Sequence, residues 1–173
     1  MTRTHTSIDS PIGELTLVAT DGVLSGLYMH RQRRMPDPAT FGPRTSAGFE
    51  EATRQLAEYF ARERTGFTVP LHMEGGSFER RVWLALTRIP YGQTRSYTEL
   101  TDEVGGPEGV AGWEAVRAVG AANGRNPLAI VVPCHRVVGA HGSLTGYAGG
   151  LERKRFLLDL EAPAEIRQSR LFA

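Results

Sequence analysis

The chain has a single cysteine, and the residues around it are those that could give it chemistry: Pro133-Cys134-His135-Arg136-Val137-Val138. A cysteine attacks as its thiolate, and a free thiol with a pKa near ~8.5 is only a few per cent ionised at neutral pH. Making it mostly thiolate takes a shift of roughly two units, or about 2.7 kcal/mol. An adjoining imidazole and guanidinium are a source of that shift. From Ala115 to Leu151 there is no Asp or Glu, while Arg117, Arg125, Arg136, His135 and His141 lie inside the stretch. Such a segment is either a basic surface suited to phosphates or a buried one that avoids carboxylates. A lone cysteine is otherwise a small buried hydrophobe. It can form no internal disulfide and no thiolate-rich zinc site, so neither metal nor cofactor is expected.

The elements that must position this segment read from pattern. Leu128 to Val132 is an apolar run expected to be a buried strand; Pro133 ends it and lifts Cys134 out of the sheet ladder. Upstream, Phe78, Val82 and Leu86 mark a helix that Pro90-Tyr91-Gly92 stops. Ser96-Tyr97-Thr98-Glu99 is a capping box, so a short helix starts at Tyr97 and ends near Gly105-Gly106-Pro107. A second helix runs from about Trp113 to Asn123-Gly124. Two short helices joined by a glycine-containing turn suggest a helix-turn-helix, a weak signal alone. Leu151 to Leu160 is the last helix, with Leu157, Leu158 and Leu160 inward.

The first part of the chain reads as β. Glu14 to Ala19 and Val23 to Met29 flank Asp21-Gly22, a hairpin signal. Phe67, Val69 and Leu71 alternate as a third strand, and Phe49, Ala52, Leu56 and Tyr59 recur at helical spacing. Residues 31–46, with Arg31, Arg33 and Arg34, read as an exposed loop whose charges are solvated. A boundary is expected near Gly75-Gly76. The fold class is therefore α+β: a small N-terminal sheet domain with a helix, packed on a mainly helical C-terminal domain.

At Pro133 to Val137 the sequence matches in full the Pro-Cys-His-Arg-Val signature of the O6-alkylguanine-DNA alkyltransferases, a family it resembles. The resemblance extends over Tyr91-Gly92, Ser96-Tyr97, Arg117-Ala118-Val119-Gly120, Asn126-Pro127, Leu144-Thr145-Gly146-Tyr147 and Gly149-Gly150-Leu151. It is strong over about Phe78 to Glu161, and weaker over Ser10-Pro11-Ile12-Gly13 and the hairpin after it. It implies a ribonuclease H-like domain over 1–75 and a DNA-binding, alkyl-accepting domain over 76–173. It also implies single-turnover repair of double-stranded DNA, in which an alkyl group moves from O6 of guanine, and from O4 of thymine, to Cys134.

The resemblance further implies roles. His135 takes the thiol proton through a water, Glu161 polarises that imidazole, and Asn126 braces the turn beneath the active-site strand. The damaged base must leave the stack, at a cost of a few kcal/mol. Arg117 looks like the finger that fills the gap, and Tyr97 like the tyrosine that helps rotate the nucleotide and donates to the guanine ring. Ala118 and Arg136 join Arg117 and Tyr97 as implied DNA contacts. Val137, Gly146, Tyr147, Ala148, Gly149 and Gly150 would wall the pocket, small residues allowing close backbone approach to a flat base.

The chain departs from the family between Pro107 and Arg117, where Glu108 to Val116 lengthen the helix-turn-helix turn. With Cys134 alone, a zinc site like that of some relatives' N-terminal halves and a second reactive cysteine are not expected. The alternatives are a silent DNA-binding relative, which would lack the nucleophile, and a cysteine hydrolase, which would turn over repeatedly. With 173 residues, 40% hydrophobic, and a net charge of +1, the composition is that of an ordinary globular chain. No apolar run approaches the ~20 residues of a membrane span, and the N-terminus has no signal-like apolar stretch. A cytoplasmic monomer is expected.

Overall fold

Asp21 and Gly22 both take positive φ, 49° and 81°, which lets β2 (Leu15–Thr20) turn straight into β3 (Val23–Met29) as the Asp-Gly pair predicts. The computed structural model describes residues 1–171. The antiparallel sheet has the order β1-β2-β3, and β1 (Arg3–Ile8) is a strand that the sequence pattern does not announce. Its residues are all half-buried, so no apolar alternation marks it. It is held by pairing with β2 from Arg3–Thr20 to Ile8–Leu15. The third strand expected at Phe67–Leu71 is reduced to one parallel bridge, Leu24 to Leu71.

Helix α1 (Glu50–Phe60) buries Ala52, Gln55, Leu56 and Tyr59. The second half holds α2 (Ser77–Leu86), a two-residue strand β4 (Arg95–Ser96), α3 (Tyr97–Val104) and α4 (Gly112–Gly124). After these come β5 (Val137–Val138), α5 (Leu151–Glu161) and α6 (Ala164–Leu171), the last not foreseen from sequence. Ser96 and Glu99 form the predicted capping box, with bonds of 3.1 and 2.7 Å. The α3–α4 turn is tied to α2 by Arg81, whose guanidinium donates to the carbonyls of Val104 and Gly106 at 3.0 and 2.8 Å. Trp83 of α2 donates from its indole to Ala122 of α4 at 2.9 Å.

One apolar core runs through both halves, from Leu15, Leu17 and Leu27 of the sheet to Val82, Leu86, Leu128 and Leu157. Each fully buried Leu contributes about 1.5–3 kcal/mol relative to exposure. The α+β class read from the sequence holds. Among the described residues, no helix is long and apolar enough to cross a membrane.

Candidate active site

The segment leading to the cysteine is a turn, and not the strand expected from its apolar run. Ile130 takes a left-handed φ of 71°, and Val132 donates back to Leu128 at 2.8 Å. Burial of all five residues accounts for the apolar pattern. Asn126 supplies backbone partners that a sheet would otherwise give: its Oδ1 accepts from Leu128 N at 2.9 Å and its Nδ2 donates to Val132 O at 2.7 Å. Strand β3 flanks the turn, with Leu27 N donating to Pro127 O at 2.8 Å. Cys134 to Arg136 then form a single 3-10 turn. From there β5 pairs in parallel with β4, Arg95 beside Val137 and Ser96 beside Val138, which sets Tyr97 at the start of α3 close to the cysteine segment.

Behind the cysteine lies a buried polar cluster. His135 Nε2 meets Glu161 Oε1 at 2.7 Å, and Arg136 reaches both carboxylate oxygens at 2.9 Å. The Tyr59 hydroxyl, from the far half of the chain, donates to Glu161 Oε1 at 2.7 Å. Burial disfavours the charged carboxyl, yet His135 and Arg136 outweigh it and hold Glu161 down at about 2. Burial lowers the pKa of His135 against the pull of Glu161, so the ring is neutral near pH 7. A carboxylate can only accept, which places the ring proton on Nε2 and leaves Nδ1 as a free lone pair. Nδ1 is buried and has no hydrogen-bond partner among the described residues.

Burial also pushes the Cys134 thiol up, with Asn126 and the charge of Lys154 opposing it. The guanidinium expected to activate the thiol is spent elsewhere. Arg136 is only 7% exposed and completes its bonding on Ile89 O at 2.7 Å. That also removes it from any surface that DNA could touch, correcting the expected DNA contact at this position. The nearby cation is instead Lys154, the chain's only lysine, which is fully buried. Its ammonium donates to the carbonyls of Val137, Thr145 and Gly146 at 2.6, 3.1 and 3.3 Å, and burial lowers it to about 8.

Cys134 opens onto a cavity of about 190 Å³ whose walls include Tyr97, Asn123, Asn126 and the run Gly146 to Gly149. Gly146, Tyr147, Ala148 and Gly149 line this cavity, whereas Gly150, expected beside them, does not and instead caps α5. A Cβ on Gly149 would lie 2.4 Å from the Met29 sulfur and 3.0 Å from the Tyr147 ring, so a side chain there would have to displace both. Val137 does not line the cavity: it is fully buried and its carbonyl is taken by Lys154. Tyr97 donates its hydroxyl to Thr145 O at 3.0 Å. Asn123 Oδ1 and the Tyr147 hydroxyl, on residues that line the same cavity, are buried without partners among the described residues. Arg117 is exposed in the second turn of α4, and Ala118 is half-buried beside it.

Sequence reasoning missed several of these groups. Gln32, Arg33 and Arg34 belong to the cavity wall rather than to a merely solvated loop. Arg33 N donates to Ala148 O at 2.8 Å, closing that loop on the pocket. Asn123 and Lys154 carried no signal of these roles, and Tyr59 was marked only as an inward position of a helix.

Two family models cover nearly the whole chain. The ribonuclease-like domain of 6-O-methylguanine DNA methyltransferase matches residues 4–73, and the DNA binding domain of the same family matches residues 77–163. The chain belongs to the 6-O-methylguanine DNA methyltransferase family. This methyltransferase is 52% identical over 165 residues to the methylated-DNA–protein-cysteine methyltransferase of Mycobacterium tuberculosis strain H37Rv, covering 94% of this chain and 96% of that protein. It is 42% identical over 161 residues to the constitutive enzyme of that name from Bacillus subtilis strain 168, covering 91% and 94%. Its fold superposes on the crystal structure of Mycobacterium tuberculosis OGT in complex with DNA with a TM-score of 0.81, at 51% identity, covering 94% of this chain and 97% of that one.

Proposed function

We propose that the chain repairs DNA by moving an alkyl group from O6 of guanine, and from O4 of thymine, onto Sγ of Cys134. The observation that carries this reading is the buried Glu161–His135 pair beside the only cysteine, at the mouth of a cavity walled by small residues and Tyr97. His135 Nδ1 takes the thiol proton through a water, and Glu161 stabilises the imidazolium that results. The thiolate attacks the alkyl carbon in line; the S–C bond forms as the C–O6 bond breaks, and the electron pair leaves with guanine. Tyr97 donates to the ring as that charge develops, its hydroxyl turning to the base from Thr145 O, where it rests in the free protein. The cysteine ends as a thioether, so each molecule acts once.

The base must be rotated out of the duplex to reach Sγ. Arg117, exposed on α4, fills the space it leaves. Neither a metal nor an organic cofactor enters this scheme. Transfer takes place inside the cell, where reducing conditions keep a free thiol available. The test is stoichiometry: with excess O6-methylguanine duplex, methyl groups removed should plateau at one per protein. Continued turnover would mean a hydrolase.

A further inference from the structure

Trp113 is 71% exposed, while the only other tryptophan, Trp83, is 2% exposed. It belongs to the Glu108–Val116 stretch between the end of α3 and Arg117. Part of that stretch has become helix, since α4 already starts at Gly112. Trp113 therefore lies in the first turn of α4, one turn ahead of Arg117. The two are four residues apart, on one face of the helix. Trp113, Val116, Arg117 and Gly120 form a stripe along one hollow of about 340 Å³, shared with Tyr97 and Ala140. Glu114, one position around the helix, is outside it.

The stripe continues into the active site. Tyr97 and Gly120 line both this hollow and the cavity of Cys134. A Cβ at Gly120 would touch the Tyr97 ring at 3.6 Å. An exposed indole at the end of such a path is costly in water and points to an occupant. The reading above puts DNA on Arg117 and Tyr97.

We propose that Trp113 is a DNA-contacting residue of this enzyme, its indole lying on the apolar face of a base or deoxyribose beside the site where Arg117 enters. The inference rests on the DNA-repair reading. Four helical residues rise about 6 Å, and nucleotides on a strand are spaced about 3.4 Å. The contact falls about two nucleotides from the Arg117 position. An aromatic contact of this kind adds affinity without neutralising phosphate, so it leaves the salt dependence unchanged.

Titration of the protein with undamaged duplex, read by tryptophan emission and by fluorescence anisotropy of labelled DNA, tests this. Binding should quench the emission of the wild type but not that of Trp113→Phe, whose remaining tryptophan is buried. Trp113→Ala should weaken duplex binding about tenfold at every salt concentration, with an unchanged salt slope. Its transfer from the free O6-benzylguanine base should match wild type, which also shows that the variant is folded. Binding by anisotropy with unchanged Trp113 emission, or unchanged affinity in Trp113→Ala, overturns the contact and leaves the repair reading standing. Failure of the wild type to bind duplex at all overturns both.

Discussion

The Tyr59 hydroxyl donates a 2.7 Å hydrogen bond to Glu161 across 102 residues of chain. It joins α1 of the N-terminal half to the carboxylate that orients His135. The first half of the chain thus holds Glu161 in place, as well as packing against the second half. Arg153 adds a parallel link from α5, donating to Ile12 O at 3.1 Å and His30 O at 2.8 Å.

Tyr59→Phe removes this bond while Glu161 keeps its contacts with His135 and Arg136. A hydrogen bond to a charged acceptor contributes ~1.5–3 kcal/mol. The expected result is a fall in Tm of about 3–12 °C, with alkyl transfer retained. Thermal melts and a transfer assay on the same preparation check it; an unchanged Tm would mean that Glu161 gains nothing from the tyrosine.

Acid should unfold the protein through the same cluster. Glu161 sits at about 2 in the fold against an ordinary 4.5. Its stabilisation is therefore complete above pH 4.5 and is lost as the pH falls from 4.5 towards 2. Glu51, Glu58 and Glu79 are also lowered by arginine partners, but nearer to solvent, where such pairs contribute little. Glu161→Gln should lower stability at pH 7 by about 3–5 kcal/mol, because it leaves Arg136 buried without its counter-charge. It should also flatten the loss between pH 4.5 and 2. Denaturant melts across that window decide the point, and equal acid sensitivity in variant and wild type would place the effect elsewhere.

Lys154 fastens the carbonyls of Val137, Thr145 and Gly146, and so joins the cysteine segment to the pocket wall. Lys154→Met keeps the apolar stem and removes the ammonium. The wall loosens and transfer should slow about 10- to 100-fold, from the free base and from duplex alike. Rate constants for both substrates measure this; slowing on duplex alone would show that Lys154 acts on DNA binding.

Much of this was legible in the sequence. The α3 cap at Ser96–Glu99, the Asp21-Gly22 hairpin and the faces of α1, α2 and α5 follow from local rules. Strand β1 was not legible, because Arg3-Thr4-His5-Thr6-Ser7-Ile8 has no apolar face and is defined by its partner strand. Leu128 to Val132 reported burial and not conformation, since an apolar run suits a buried turn as well as a strand. Lys154 stands between Arg153 and Arg155, neighbours that give no hint of burial; only the packing of α5 reveals it as buried. Glu161 had meaning only through the family resemblance, and Tyr59 read only as a core position until the two halves were seen to share a core.

Arg117→Ala separates binding from chemistry. The side chain is exposed on α4 and outside the walls of the Cys134 cavity. The variant should slow transfer from duplex while leaving transfer from free O6-benzylguanine near wild type, because a free base needs no rotation out of a stack. Equal slowing of both would assign Arg117 to the pocket.

The central claim is that Cys134 itself receives the alkyl group. Incubating the protein with O6-methylguanine duplex, then measuring intact mass and mapping the peptide that contains Cys134, tests it most directly. The account predicts a single added methyl group, located on Cys134, and none in Cys134→Ala, which should still bind the duplex. DNA demethylated by unmodified protein, or by Cys134→Ala, would contradict it.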